Sequence, residues 1–175
     1  RGAVINRIAG WESENRQVLH TSSRDIFADQ AKEPESARQA RLELEKLETF
    51  LNEIESDSTF TTMVNVGIGG SDLGPRAVYE ALQAYNIKGR QVHFIANVDP
   101  DDAARVLAQI DPARTLVTVV SKSGSTLETR TNEALVRSRF EQAGIEPARR
   151  FIAVTGKGSP MDNPEDYLRS FYMYD

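Results

Sequence analysis

The sequence has no cysteine, so disulfide bonds and thiolate metal sites are excluded. Its two histidines, His20 and His93, are far apart and lack the close spacing of a metal-binding pair. No apolar run approaches the roughly 20 residues that span a bilayer, and nothing at the start resembles a signal peptide. We therefore expect a cytoplasmic protein that has no metal site and no membrane partner.

An excess of positive charge is also missing, because the formal net charge is -5. Surfaces that bind nucleic acid are usually strongly basic, so we expect no nucleic-acid partner. A small anion is still compatible with this charge, since a few local dipoles can outweigh the net field. The 175 residues, 39% hydrophobic and 27% charged, are typical of an ordinary globular domain.

Both ends of the sequence are unusual. Arg1 is not an initiator methionine, and the chain closes on an aromatic segment, residues 171–175, with no polar tail after it. These features predict that the chain is a piece of a longer polypeptide.

Residues 34–55 carry the clearest helical pattern, whereas residues 1–33 are expected to be extended or irregular. Pro34 suits the first turn of the predicted helix. Apolar residues recur at alternating steps of three and four, with charges between them, at Ala37, Ala40, Leu44, Leu47, Leu51 and Ile54. This single apolar stripe predicts a packing helix, and we place the start of the main domain, 34–175, at this helix.

Short β-branched runs then alternate with helical stretches. The runs are 63–66, 92–95, 116–120 and 151–154, and the helical candidates lie near 73–85, 101–109 and 126–143. Strands separated by helices indicate an α/β fold with a parallel sheet. Ligands in such folds sit beyond the carboxyl ends of the strands, so the loops after the strands are the candidate sites.

The first candidate loop, GIGGSDLGP at 67–75, follows a strand and opens a helix. Its glycines let the backbone approach a ligand closely. The loop is not a dinucleotide fingerprint, because Asp72 stands where the third glycine would be, and no Gly-Lys-Ser/Thr follows as in a P-loop. The alternative is a tight strand-to-helix turn with Ser71 or Asp72 as N-cap.

The second candidate loop, SKSGST at 121–126, also follows a strand and precedes a helix. Five of its six residues can donate a side-chain hydrogen bond; they are Ser121, Lys122, Ser123, Ser125 and Thr126. Hydroxyls and free amides at a helix N-terminus suit a phosphate monoester. The alternative is an ordinary helix start in which Ser125 and Glu128 form a capping box.

The helix after this loop is expected to use Leu127, Thr131, Ala134 and Leu135 as one face. Glu128 is the only carboxylate beside the loop. No catalytic dyad stands out elsewhere in the chain. If the two loops follow neighbouring strands, they form one crevice, in which one loop holds a phosphate and the other holds sugar hydroxyls.

At these residues the chain resembles the glucose-6-phosphate isomerase family. Residues 66–75 are similar to the family's glycine-rich signature, and 120–132 to its phosphate-binding segment. Asn97-Val98-Asp99 resembles a short family motif, and Glu14 to His20, with Arg24 beyond, resembles an upstream segment of the family. The motifs stand in the family's order, so the resemblance covers most of the chain.

The resemblance implies a sugar isomerase (SIS) fold, flavodoxin-like or Rossmann-like, with three α/β/α layers around a five-stranded parallel sheet. It implies interconversion of glucose 6-phosphate and fructose 6-phosphate without a metal or organic cofactor, by a protein that is a homodimer at full length. By position it implies phosphate-binding roles and sugar-facing roles, with Glu128 near the pocket. The phosphate-binding residues would be Ser121, Ser123 and Thr126 with Lys122 and Ser125, and the sugar-facing residues would be Gly70 and Ser71.

The sequence departs from the family where the resemblance places catalysis. A Gly-Gly-Arg motif would follow a segment similar to 171–175, and a glutamate base, a ring-opening histidine and a lysine would lie further on. Proton transfer needs a positioned base and stabilisation of the enediol charge. We therefore expect no catalytic residue in this chain, and binding without turnover. We expect a structural role for His20.

Two alternatives stay open. A phosphosugar-sensing regulatory SIS module would normally carry a DNA-binding helix-turn-helix, which we do not find. Another aldose-ketose isomerase of the same fold would share a loop like 121–126, but not 67–75 in this form.

Overall fold

The computed structural model describes residues 3–4, 7–11 and 22–173, without the side chains of 22–24. The upstream segment from Glu14 to His20, including the structural role expected for His20, lies outside the described residues. So does the side chain of Arg24. Contacts divide the chain into two compact units, Arg1–Glu53 with Tyr172–Asp175, and Ile54–Phe171. The boundary expected at residue 34 stays a prediction.

The first unit is dominated by the predicted long helix, α1 (Pro34–Ser56), preceded by a 3-10 turn at Ser22–Phe27. The helix is confirmed, but only part of its stripe is buried. Ala37 and Ala40 are buried, whereas Leu44, Leu47 and Leu51 are 47%, 36% and 46% exposed.

The second unit is a five-stranded sheet with helices between its strands. The strands are β1 (Thr62–Val66), β2 (Gln91–Ile95), β3 (Thr115–Ser121), β4 (Phe151–Thr155) and β5 (Arg169–Tyr172). The helices are α2 (Gly70–Ala81), α3 (Pro100–Leu107) and α4 (Leu127–Gln142). Short 3-10 turns lie at Gln83–Tyr85, Pro112–Arg114 and Pro147–Arg149.

The strand order is β2-β1-β3-β4-β5, and β1 pairs in parallel with β2 and β3, as β3 does with β4. Successive side chains of a strand point to opposite faces. On one face, Val64, Val66, Val117 and Val119 are 0% exposed and pack in one core with residues of α3 and α4. Phe94 lies on the other face, where its ring centroid is 5.8 Å from that of Tyr79 in α2.

The predicted α/β fold, with three layers and a five-stranded sheet, is confirmed. The four strands and three helices read from the hydrophobic pattern all form. β5 was not read from the pattern, because its residues are only half-buried or exposed and do not alternate clearly. No helix in the described part of the chain is long and apolar enough to cross a membrane.

The four residues expected on one face of α4 do share a face, but that face is the exposed one. Leu127 and Leu135 are 76% and 41% exposed, and Thr131 and Ala134 are also exposed. The buried face instead carries Thr129, Asn132, Glu133, Val136 and Phe140. Apolar periodicity could not identify this buried face because three of its five residues are polar. Glu133 is accommodated there by charged and hydroxyl partners described below.

Candidate functional site

The two candidate loops lie at the same edge of the sheet. β1 and β3 are adjacent and parallel, with Val66 opposite Val119 in the register. The loops that follow them, 67–75 and 121–126, therefore leave the sheet at the same end. The chain places β2 on one side of β1 and β3 on the other, so these loops flank the switch point where open α/β sheets bind ligands.

Three hydroxyls of the second loop converge on one point. The Oγ of Ser121 lies 2.9 Å from the Oγ1 of Thr126 and 3.5 Å from the Oγ of Ser123. The Oγ of Ser123 lies 3.4 Å from the Oγ1 of Thr126. Two of these three separations are long for O–H···O hydrogen bonds, whose usual length is about 2.7–2.8 Å. The Ser123 hydroxyl therefore has no short acceptor within the cluster.

Ser123 has a proton to give to a ligand. Its oxygen already accepts from the backbone N–H of Ser125 and from the Ser125 hydroxyl, both at 3.2 Å. Both contacts use the Ser123 oxygen as acceptor, and its own O–H is left for donation. An anion placed beside Ser121, Ser123 and Thr126 would supply a closer acceptor for this proton.

The predicted capping box is wrong. The N-cap of α4 is Thr126 rather than Ser125, and the Thr126 side chain makes no capping hydrogen bond. The Thr126 hydroxyl, which usually bonds to the helix's own amides, lies instead against Ser121. The amides of the first turn of α4 are thus not covered by a capping side chain, which is the arrangement of an anion-binding helix end.

Gly124 gives this loop its shape. Its φ of 67° lies in the left-handed region that favours glycine. A Cβ at this position would lie 2.5 Å from the Oγ of Ser159 and 3.0 Å from the backbone nitrogen of Met161. The loop is therefore packed closely against the segment that follows β4. Sequence reasoning missed this segment, although Thr155-Gly156 follows a predicted strand.

The first loop uses backbone rather than hydroxyls. The N-cap of α2 is Gly69, with φ 58°, and the helix begins at Gly70 without a side-chain cap. The alternative roles of Ser71 and Asp72 as caps are therefore wrong. Asp72 is instead buried and bonds to Arg76, with Oδ1 2.8 Å from Nη2.

A proline within α2 explains how Ser71 is held. Pro75 has no N–H, so it cannot donate to the carbonyl of Ser71 one turn earlier. That carbonyl accepts instead from the Nδ2 of Asn65, a buried residue of β1, at 3.2 Å. Gly67 leaves room for the contact, since a Cβ there would lie 2.7 Å from the Ser71 carbonyl oxygen. The spacing of Asn65, Gly67, Ser71 and Pro75 thus has a structural reason.

The motif Asn97-Val98-Asp99 joins the same region. The Asp99 side chain accepts from the backbone nitrogens of Asp101 and Asp102 and so caps α3. The carbonyl of Asn97 accepts from the Nδ2 of Asn132, a buried residue of α4, at 3.2 Å. This bond ties the loop after β2 to the helix that follows the hydroxyl cluster.

The remaining predicted site residues lie at the starts of α2 and α4 and within the second loop. Gly70 is exposed and Ser71 half-buried at the start of α2, and Lys122 is exposed between Ser121 and Ser123. Glu128 is exposed in the first turn of α4. In the part of the chain that the structure describes, no three His, Asp or Glu side chains come together as a metal site.

A buried carboxylate anchors the far side of α4. Glu133 is 2% exposed, and its Oε1 accepts from the Tyr167 hydroxyl at 2.5 Å and from the Nε of Arg137 at 2.8 Å. Its Oε2 accepts from the Nη1 of Arg130 at 3.0 Å. Burial, with the Glu133 carboxylate, raises the pKa of Tyr167 above its ordinary value. Tyr167 belongs to the same β4–β5 connection as Ser159, so this cluster ties that connection to α4.

Comparison with known proteins assigns this arrangement to a family. A family model described as phosphoglucose isomerase matches residues 2–163. The chain belongs to the phosphoglucose isomerase family. Both candidate loops lie inside the matched range, as do Asn65, Asn97, Asn132 and Ser159.

Members of the phosphoglucose isomerase family are similar along nearly the whole chain. A glucose-6-phosphate isomerase of Desulfotalea psychrophila is 55% identical over 181 residues, covering 99% of this chain and 34% of that protein. One of Protochlamydia amoebophila is 54% identical over 178 residues, covering 99% and 33%. The crystal structure of a glucose-6-phosphate isomerase from Chlamydia trachomatis has a TM-score of 0.90 at 45% identity, covering 99% of this chain and 34% of that chain.

The predicted resemblance and the predicted fold are confirmed by these matches. The chain spans about a third of the length of the phosphoglucose isomerases that it matches.

Proposed function

We propose that this chain binds a sugar phosphate as the phosphate-binding part of a glucose-6-phosphate isomerase, which interconverts glucose 6-phosphate and fructose 6-phosphate. The observation that carries the proposal is the hydroxyl cluster of Ser121, Ser123 and Thr126 at the uncapped start of α4. The Ser123 proton has no short acceptor within the cluster, and a phosphate dianion offers acceptors without donors.

The free energies of the available hydrogen bonds favour binding. Hydrogen bonds to a charged group contribute about 1.5–3 kcal/mol each, so three hydroxyls with amides of the first turn of α4 can compete with the hydration of a phosphate. In this proposal Lys122 and Ser125 belong to the same phosphate-binding loop. Gly70 and Ser71 face the sugar, and Glu128 lies near the pocket without a catalytic role.

Catalysis is proposed to need more than these residues. The family resemblance places an arginine in a Gly-Gly-Arg motif, together with a glutamate, a histidine and a lysine, in segments that these 175 residues do not contain. Homodimerisation of the whole protein and a cytoplasmic location are part of the same proposal. They are supported by the family membership.

Binding is tested by titrating the isotope-labelled chain with fructose 6-phosphate, with 6-phosphogluconate and with inorganic phosphate. We expect NMR shifts at the amides of residues 121–128 with all three, and additional shifts at 69–72 only with the sugar phosphates. The variant Ser123→Ala should weaken all three ligands by about tenfold or more, the equivalent of one charge-assisted hydrogen bond. Ser138→Ala, on the far part of α4, is the matched control and should change nothing.

A folded chain whose 121–128 amides do not respond would contradict the proposal. A coupled isomerase assay on the same sample checks the second part, with no turnover above the blank expected. Measurable isomerisation would show that the proposed division between binding and catalysis is wrong.

A further inference from the structure

The segment from Thr155 to Ser159, at the end of β4, makes hydrogen bonds to the backbone of the second loop, 121–126. Thr155 is 0% exposed, and its hydroxyl donates to the carbonyl of Ser121 at 2.7 Å. The same hydroxyl lies 2.7 Å from the Oγ of Ser159. The register explains the meeting, since Ser121 and Thr155 are partners at the ends of the parallel strands β3 and β4.

The donor and acceptor roles of these hydroxyls follow from the single proton that each carries. Thr155 has one hydroxyl proton and gives it to the Ser121 carbonyl, which cannot donate. Its oxygen must therefore accept the proton of Ser159 in their contact. The Oγ of Ser159 accepts in turn from the backbone N–H of Met161 at 3.3 Å. The donors thus run in one direction, from Met161 through both hydroxyls to Ser121, and adjacent bonds of such a chain strengthen one another.

The bonds orient the peptide groups of the loop. The Ser121 carbonyl also accepts from the N–H of Gly124 at 3.1 Å, which closes the turn, and the Lys122 carbonyl accepts from the N–H of Gly156 at 2.9 Å. Both carbonyls therefore face the segment after β4. Because a trans peptide holds its N–H opposite its C=O, the N–H groups of Lys122 and Ser123 are directed away from that segment.

The two segments are packed too closely to accommodate a Cβ at either glycine. A Cβ on Gly156 would lie 2.8 Å from the Lys122 carbonyl oxygen, and one on Gly124 would lie 2.5 Å from the Ser159 hydroxyl. Glycine at both places lets the two segments approach until the hydrogen bonds form. The turn 121–124 is thus held from outside.

We propose that Thr155 and Ser159 are positioning residues that fix the 121–124 turn before an anion arrives. They act through the loop backbone rather than on the ligand. A rigid turn loses less conformational freedom on binding, which raises affinity without a new contact. The inference about affinity rests on the proposed function, whereas the inference about the turn rests on the geometry alone.

The test compares Thr155→Val with a matched control, Thr115→Val, in the 175-residue chain. Thr115 is also 0% exposed, and its hydroxyl also donates to a backbone carbonyl at 2.7 Å, that of Asp111, but at the opposite end of β3. Both variants should lower the unfolding midpoint similarly. Only Thr155→Val should raise the Kd for inorganic phosphate and fructose 6-phosphate, by about three- to tenfold, the equivalent of one net hydrogen bond.

A conservative variant and a second position make the test specific. Thr155→Ser keeps the donated proton and should bind both ligands within about twofold of the wild type. Ser159→Ala keeps the Thr155–Ser121 bond, so it should have a smaller effect in the same direction. It also covers the case in which Thr155→Val does not fold. Equal Kd values for the wild type, Thr155→Val and Ser159→Ala would overturn the inference, as would a Thr155→Ser defect equal to that of Thr155→Val.

Amide hydrogen exchange separates this inference from the proposed function. The Gly124 N–H, bonded to the Ser121 carbonyl, should exchange faster in Thr155→Val than in Thr115→Val, and Thr155→Ser should restore its protection. If the wild type binds no phosphate, the proposed function fails, and the Gly124 exchange rates alone decide whether Thr155 holds the turn. Identical Gly124 rates in both valine variants would then refute the positioning role.

Discussion

The loops after β1 and β3 follow neighbouring strands and both open a helix, yet they are held by different parts of the fold. The loop at 67–75 is fixed from its own strand, through Asn65 and the Ser71 carbonyl that Pro75 leaves without a helical partner. The loop at 121–126 is fixed from the next strand, through Thr155 and the Ser121 carbonyl. Equivalent topological positions therefore do not imply equivalent means of support.

The difference matters for what each loop can present. In the first loop, glycine and the bare end of α2 leave the backbone accessible, and Ser71 is positioned through its carbonyl. In the second, the backbone carbonyls are used for support, so the side-chain hydroxyls and the helix end are left for a ligand. Variants that remove one support at a time test this division.

The largest effect on stability is expected from filling the space between Gly67 and the Ser71 carbonyl. Gly67→Ala would place a Cβ 2.7 Å from the Ser71 carbonyl oxygen, and the backbone must shift to relieve the clash. We expect a loss of about 3 kcal/mol in the free energy of unfolding, typical of an overpacked site. Gly74→Ala, in the same loop with nothing beyond its own helix within 4 Å of its Cβ, is the control. It should stay within about 1 kcal/mol of the wild type, because the higher helix propensity of alanine is opposed by the contact of its Cβ with the ring of Pro75. Urea unfolding of both variants checks the contrast.

A smaller loss of stability is expected from weakening the contact between Tyr167 and Glu133, which joins the β4–β5 connection to α4. Tyr167→Phe removes the hydroxyl that donates to the buried Glu133, while both arginines stay on the carboxylate. We expect a loss of about 2 kcal/mol, in the range for hydrogen bonds to charged groups, and weaker binding of inorganic phosphate. Tyr85→Phe, at a side chain that is 82% exposed, should stay within about 0.5 kcal/mol of the wild type. If Tyr167→Phe were as stable as the wild type, the hydrogen bond from Tyr167 to Glu133 would not support the fold.

The sharpest contrast between the loops comes from Asn65→Ala. It removes the donor to the Ser71 carbonyl, at an expected cost of about 1–2 kcal/mol, because that carbonyl then lacks a partner. We expect calorimetric titration to show weaker binding of fructose 6-phosphate but unchanged binding of inorganic phosphate, whereas a phosphate-loop variant such as Ser123→Ala should weaken both. If both affinities fall equally, the two loops are not independently supported.

The smallest effect concerns a residue remote from both loops. Burial, with the nearby charge of Arg105, lowers the pKa of His93 below its ordinary value of 6.5. The unfolded chain then binds a proton at a higher pH than the folded chain does. Stability is therefore unaffected well above pH 6.5 and falls as the pH drops through this value. His93→Gln should lose less stability than the wild type between pH 7.5 and pH 5.5, measured by urea unfolding.

Phosphate affinity should be the same for His93→Gln and the wild type at pH 7.5. This control separates the pH dependence of stability from that of binding. An equal loss of stability in both proteins at low pH would assign the titration to other groups.

Much of the fold could be predicted from local patterns. The β-branched runs gave four strands, and the stripe from Ala37 to Ile54 gave α1, because burial imposes a period of about two on strands and 3.6 on helices. The pattern predicted α4 but not its buried face, where Glu133 and Asn132 are buried with hydrogen-bond partners while Leu127 and Leu135 are exposed. It failed on β5 as well, since a half-buried strand of four residues has too few positions to show a period.

The candidate site was predictable in its composition but not in its detail. The hydroxyl density of 121–126 and the glycines of 67–75 marked these two loops as candidates, and the structure places them at the same end of the sheet. The predicted caps were wrong, because the N-caps are Thr126 and Gly69 and the Asp72 carboxylate bonds to Arg76 instead. The phosphate and sugar roles of these loops stay predictions until ligands are measured.

The sequence by itself determined the succession of the first four strands and of the helices along the chain, the position of both loops and the number of hydroxyls at the start of α4. These depend on residues within a few positions of one another. Only the tertiary structure decided that Thr155, 34 residues after Ser121, supports the turn of that loop. The physical reason is the register of β3 and β4, which sets residues distant in the chain side by side and fixes which donor meets which carbonyl.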